Sequence, residues 1–338
     1  GFARPFLTLF SDVPQQIEYG TQYLSIVTGL SIAICMQFAG ERTLQATGNT
    51  VGPMIIQGVG AVVNLILDPL FIFGIGPFPK MEVAGAALAT VLGQIVGLAA
   101  SFIMVHRSPV IHLTFRRFRP NGEIIRTMFR VGFPAILMQA LSSFMTVGMN
   151  LILPLFTPFG VFILGAYYKI QSFIFMPLYG MNNALVPIIS FNYGAKSKER
   201  ITGTIHFALF LTVGIMAAGM LILLALAGPL LSLFDASGPL LEAGTAALRI
   251  IALSFVFAGV SIILCSALQA LGSANASLLI SLLRQILLLL PAAAVLGALS
   301  GGLVWFAFLT AEVLSCGVAL LLYRRVYQKK ISILDKTS

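Results

Sequence analysis

The chain has 338 residues, 58% hydrophobic and 9% charged, with mean hydropathy +0.99, formal net charge +9 and a pI near 9.7. Soluble domains carry about 25% charged residues, so this composition excludes a soluble enzyme, a nucleic-acid module and a disordered chain. Cys35, Cys265 and Cys316 stand singly in apolar runs, without metal-ligand or disulfide spacing, and read as inert buried thiols.

In chain order, residues 1–10 read as the tail of a helix. Nine stretches then reach the roughly 20 apolar residues that a membrane helix needs: 19–43, 51–74, 83–105, 127–152, 159–191, 201–228, 240–268, 274–298 and 301–323. Breaker residues separate them, among them Gly48-Asn49, Gly76-Pro77, Pro154, Pro158, Gly228-Pro229, Gly238-Pro239 and Gly272-Ser273. The segments are too long for barrel strands and do not alternate, so the expected fold class is an all-α membrane protein.

Lys and Arg set its orientation. Arg42, Arg107, Arg116, Arg117, Arg119, Arg126, Arg130, Lys196, Lys198, Arg200, Arg324, Arg325, Lys329, Lys330 and Lys336 all fall on one side if nine spans alternate. The other side carries Asp12, Glu18, Glu82, Asp235 and Glu242. The basic side is expected to be cytoplasmic, with the C-terminus on it. The positive charge is thereby assigned to a membrane face, and nucleic acid is not an expected partner.

The chain also repeats itself at an offset of 224. Residues 3–48 and 227–272 share 14 identities over 46 positions without a gap, including Glu-x-Gly-Thr (Glu18, Glu242) and Leu-Gln-Ala-x-Gly (Leu44, Leu268). Six spans separate the copies, so the repeats are expected to be parallel, related by an axis along the membrane normal. The second copy is preceded by three helices and the first only by the stub, so the chain reads as lacking about a hundred residues of a six-plus-six-helix whole. The expected divisions are 1–106 (second half of a first lobe), 107–124 (basic cytoplasmic linker), 125–328 (second lobe) and 329–338 (cytoplasmic tail).

Ionisable residues at membrane depth are functional candidates. Asp68 lies about six residues before the outer end at Gly74, roughly 9 Å deep. Asn64 shares its helix face at i−4, and Pro69 weakens the local backbone ladder. Thr90, with Ala86 one turn above it, reaches a similar depth on the next span. Oxygen ligands suit a hard cation and a desolvated carboxylate suits a proton; otherwise Asp68 only caps or kinks its helix. In the second half Arg284 and Glu312 match in depth, as a buried structural pair or as the wall of a polar cavity. Lys169 is similarly deep. The stretch 167–187 gathers Tyr168, Lys169, Gln171, Phe173, Met176, Asn182 and Asn183, either as ordinary packing or, with Gln139, as the wall of an adaptable substrate cavity. His106, His112 and His206 read as interfacial. "GIGPFP" lacks the Lys-Ser/Thr of a phosphate loop, against ATP-driven pumping, and no nucleophile or metal cluster suggests an enzyme.

The motifs "LQATGNTVGPMI", "NLILDPLFIFG", "VAGAALAT", "VGFPA", "FMPLYGMNNALVPIISFNYGAK" and the repeated "LQALG" resemble the multidrug and toxic compound extrusion family, over essentially the whole chain and aligned with the family's fourth to twelfth helices. The resemblance implies two six-helix lobes and secondary active export of organic cations and amphiphilic drugs from the bacterial plasma membrane, by antiport against H⁺ or Na⁺ and with no cofactor, by a protein expected to be monomeric. It implies Asp68 and Asn64 as the cation site, the Na⁺ ligands if Na⁺ is the ion, with Thr90 and Ala86 at the matching sixth-helix positions. The family's alternative second-lobe acids are missing, Gln139 standing in the seventh span. A lipid-linked saccharide flippase, the rival reading, would need several cavity bases for a pyrophosphate, and a channel or scaffold would not need the buried Asp68.

Overall fold

The computed structural model describes residues 3–8, 13–111 and 120–334. Asp12, His112, Arg116, Arg117, Arg119 and Lys336 lie outside the described residues. Those described form an all-helical chain of thirteen α-helices: α1 (Ala3–Leu7), α2 (Pro14–Gly29), α3 (Ile32–Ala46), α4 (Val51–Phe73), α5 (Glu82–His106), α6 (Gly122–Phe156), α7 (Gly160–Gly194), α8 (Lys198–Ser232), α9 (Gly238–Ala252), α10 (Phe255–Ala270), α11 (Ala274–Leu282), α12 (Leu289–Leu299) and α13 (Phe306–Val326). A π-helical turn, Leu283–Leu287, joins α11 to α12, and a second, Tyr327–Ile331, follows α13. Contacts divide the chain into two compact units, Gly1–Arg119 and Pro120–Ser338.

Among the described residues seven helical segments are long and apolar enough to cross a membrane, or nine when each of two bent pairs is one span. The stretches 19–43 and 240–268 each correspond to a bent pair: α2 and α3 meet at 47°, α9 and α10 at 45°. Hydroxyls bend them by competing for backbone carbonyls. Thr28 donates to Leu24 O and Ser31 to Thr28 O in the first pair, and Ser254 donates to Ile251 O in the second. Pro154 and Pro229, taken above as breakers between spans, instead lie in the last turns of α6 and α8. Cys35 is exposed and Cys265 half-buried; only Cys316 is a buried thiol.

The sequence repeat is a structural repeat. An offset of 224 carries residues 14–46 onto 238–270, and each range is a bent helix pair of the same lengths within a residue. Each ends in the same cap. Gly48 (φ +84°) and Gly272 (φ +67°) take the left-handed conformation. Their N–H groups bond Gln45 O and Gln269 O, while Asn49 and Ser273 N–H bond back to Leu44 O and Leu268 O. The Leu-Gln-Ala-x-Gly motif is thus a glycine-terminated helix cap that satisfies the last carbonyls.

The units cohere differently. The second has an extended core, with Phe175 and Phe255 edge-to-face at 5.1 Å. Among the described residues the first shows a small cluster of Leu44, Ile56 and Val105. Its contacts run along α5, where Gly85, Ala89, Gly93, Gly97 and Ser101 form a buried stripe at every fourth residue. Among lipid tails apolar surface gives helices little reason to associate, and small residues compensate by letting backbones approach. A side-chain carbon at Gly85 would lie 2.6 Å from Phe71 O, and one at Gly93 2.7 Å from Gly60 O. The opposite faces are apolar and bare: Leu65 is 72% exposed and Phe210 78%, surface that belongs in lipid rather than water. Gly85→Val is expected to lower the melting temperature of the detergent-solubilised protein, costing on the order of 1–3 kcal/mol by overpacking. Gly58→Val, at a position with no atom within 4 Å, should leave it unchanged.

Candidate functional site

In the first unit the α4–α5 packing fixes the ion-site candidates. Gly60 faces Gly93, and Gly85 faces the Phe71 backbone, so the antiparallel register brings Asp68 to the level of Ala86 and Thr90. Asn64 sits against Gly93, where an added Cβ would be 3.2 Å from its own. Asn64 Nδ2 donates to Asp68 Oδ1 at 3.3 Å, and Thr90 Oγ1 donates to Ala86 O at 2.9 Å. All four residues are half-buried. No basic side chain among the described residues pairs with Asp68. The structure thus brings Asn64 and Asp68 together, while the Thr90 hydroxyl is bonded within its own helix to Ala86 O at a similar level. Gln94, one turn beyond Thr90, has a buried Oε1 with no hydrogen-bond partner among the described residues.

The second unit holds a cavity of about 940 Å³, within the range of small-molecule sites. Tyr168, Gln171, Asn182, Asn183 and Gln139 line it, with Arg284 and Glu312. Lys169, Phe173 and Met176 do not. Phe173 and Met176 are 79% and 69% exposed on the other side of α7, because helical periodicity turns them away from the face that carries Tyr168 and Gln171. Lys169 lies 5.7 Å from the Phe234 ring centroid and joins neither Arg284 nor Glu312. Arg284 Nε meets Glu312 Oε1 at 2.6 Å.

The profile of the family described as MatE matches residues 1–70 and 134–295. The chain belongs to the MatE family. A Shewanella oneidensis protein described as an FAD transporter is 29% identical over 265 residues, covering 77% of this chain and 58% of its own length. The multidrug export protein MepA of Staphylococcus aureus (strain MSSA476) is 26% identical over 319 residues, covering 93% of this chain and 68% of its own. The chain therefore spans between about half and two thirds of the length of these curated relatives. The same fold is seen in a multidrug resistance MATE family transporter of the MOP superfamily (TM-score 0.85, 23% identity, 98% of this chain and 73% of that one). It recurs in a MOP superfamily transporter from Pyrococcus furiosus (TM-score 0.87, 22% identity, 98% and 74%). A MatE-family chain is a membrane transport protein, not an enzyme.

This MatE chain carries one buried acid that the sequence reading missed. Glu41 on α3 is 1% exposed and is gripped by two amides: Gln37 Nε2 on Oε1 and Gln57 Nε2 on Oε2, each at 2.9 Å. The signal available was Gln37 and Glu41 at i, i+4 in an apolar helix. Buried donors that lose their acceptor cost about 1–3 kcal/mol each. Glu41→Ala is therefore expected to lower the melting temperature markedly, and Glu41→Gln, which keeps one acceptor, by less than half as much; differential scanning fluorimetry in detergent reads both.

Proposed function

We propose that this MatE chain is the ion-coupled core of a secondary active exporter of small amphiphilic molecules, organic cations and drugs among them, working in the bacterial plasma membrane in exchange for H⁺ or Na⁺. The observation that carries the reading is Asp68: an acid within an apolar span, bonded to Asn64 and lacking a basic partner among the described residues. A fixed Arg or Lys would hold such a carboxylate permanently occupied; an amide leaves it free to exchange a proton or a sodium ion. For Na⁺, Asp68 and Asn64 are the proposed ligands, supplemented by Thr90 and, through its carbonyl, Ala86.

In this reading the ion biases the protein toward one access state, and only to the extent that it binds that state more tightly. Cargo release and ion release then alternate. The lysines and arginines of the described segments, including Arg126, Lys196, Arg324 and Lys329, support a cytoplasmic C-terminus, and the protein is taken to act as a monomer. The names of the relatives, an FAD transporter and a multidrug export protein, support a cargo of drug to dinucleotide size. A lipid-linked saccharide flippase would need several bases facing a pyrophosphate; the cavity offers Arg284, with Glu312 bonded to it.

Asp68→Asn is expected to abolish gradient-driven efflux of a fluorescent cation from proteoliposomes while reconstituting as well as the unaltered protein. Imposing pH and sodium gradients separately identifies the ion. Efflux at the normal rate by the Asn variant under both gradients would refute the role.

A further inference from the structure

The ion pair in the second unit leaves its two members unequally available. Glu312 Oε1 receives Arg284 Nε at 2.6 Å, while its Oε2 is buried with no hydrogen-bond partner among the described residues. Both residues line the cavity, and the acid side chain keeps 12% exposure. Arg284 uses only Nε: its Nη atoms meet no acceptor among the described residues, and its side chain keeps 20% exposure in a residue that lines the cavity. The π-helical turn Leu283–Leu287 places the successive residues Arg284 and Gln285 on the same wall; such wide turns recur at functional sites. Among the described residues Arg284 and Glu312 are the only formally charged ones that line the cavity, and the base is the more exposed of the two.

The remaining wall is aromatic and amide. Tyr167 stands edge-on to Phe308 at 5.5 Å and tilted against Tyr168 at 5.4 Å; all three residues border the space, Tyr168 half-buried and in front of Tyr167 and Phe308, which are 3% and 6% exposed. Flat rings favour a flat partner. A guanidinium edge with two unspent nitrogens favours carboxylate or phosphate, which it binds in a planar fork. We propose that this cavity binds planar aromatic molecules carrying an acidic group, with the Nη edge of Arg284 receiving the acid and the Tyr167–Tyr168–Phe308 wall receiving the ring. The inference rests on the transport reading for its purpose and names the cargo class that reading leaves broad.

Equilibrium binding to the purified protein tests it with two flavins that differ only in an acid: riboflavin 5′-phosphate and riboflavin, followed by flavin fluorescence. The phosphate form is expected to bind about tenfold more tightly, as a charge-assisted contact allows. Glu312→Gln frees the positive charge and should tighten the phosphate form alone. The double variant Arg284→Gln, Glu312→Gln keeps a hydrogen-bonding pair in place of the ions, so it avoids stranding a buried charge; it should bring the two flavins to equal affinity. Equal binding of both flavins by the unaltered protein, or a phosphate preference that survives the double variant, would overturn the assignment. Displacement of the flavin by an equal concentration of inorganic phosphate would show an anion site without the aromatic half and would overturn it as well. No ion gradient enters these measurements, so they can fail while Asp68-dependent efflux stands, or stand while it fails.

Discussion

The stripe of small residues along α5 lets two helix backbones lie against it closely enough for short polar side chains to meet between them. Asn64 rests on Gly93, and Gln37 rests on Gly97. A Cβ at either glycine would push away a side chain that holds an acid, Asp68 in one case and Glu41 in the other. In lipid this matters doubly: apolar faces give no net drive for association, and a separated polar group finds no water to take its partner's place. The first unit therefore depends on backbone proximity more than on a core, consistent with its few buried large side chains.

The two repeats carry different chemistry on one scaffold. Glu41 reaches Gln57 across sixteen residues, and at the equivalent positions Cys265 lies 3.6 Å from Ser281. Gln37 corresponds to Ser261, whose hydroxyl is buried and unpartnered. The contact between helices survives in both copies while the charge is present in one. The α11–α12 span, the counterpart of α4, has no acid at all and carries Arg284 instead. The bends, caps and helix order recur in both units, while the ionisable residues differ. On the proposed reading that divergence separates the tasks, with an acid lacking a basic partner in the first unit for the ion and a self-compensated pair beside a cavity in the second for the cargo.

Compensation also explains why the two units treat charge differently. Arg284 and Glu312 neutralise each other at 2.6 Å, and breaking such a pair by removing one member costs more than replacing both. Asp68 has an amide alone among the described residues. An amide adds no opposite charge beside the carboxylate, and on the proposed reading this leaves the group open to a coupling ion.

Much of this was legible in the chain itself. Span number followed from apolar length, the repeat from paired motifs at one offset, and the Asn64–Asp68 contact from an i, i+4 spacing that any helix enforces. The bends at Leu30-Ser31 and Leu253-Ser254 were hidden because hydroxyls that bend a helix look, in sequence, like hydroxyls that do not. Lys169, Phe173 and Met176 were grouped with the cavity because composition marks a helix as amphiphilic without saying which face meets its neighbours. Glu41 was passed over because its partners come from two helices. What the sequence by itself determined was everything local to one helix: length, cap, repeat and side-chain spacing. What only the tertiary structure decided was which helix faces meet, and with that which polar groups are paired, which are stranded and which look into a cavity; those depend on close approach between residues far apart in the chain, and no local pattern encodes that distance.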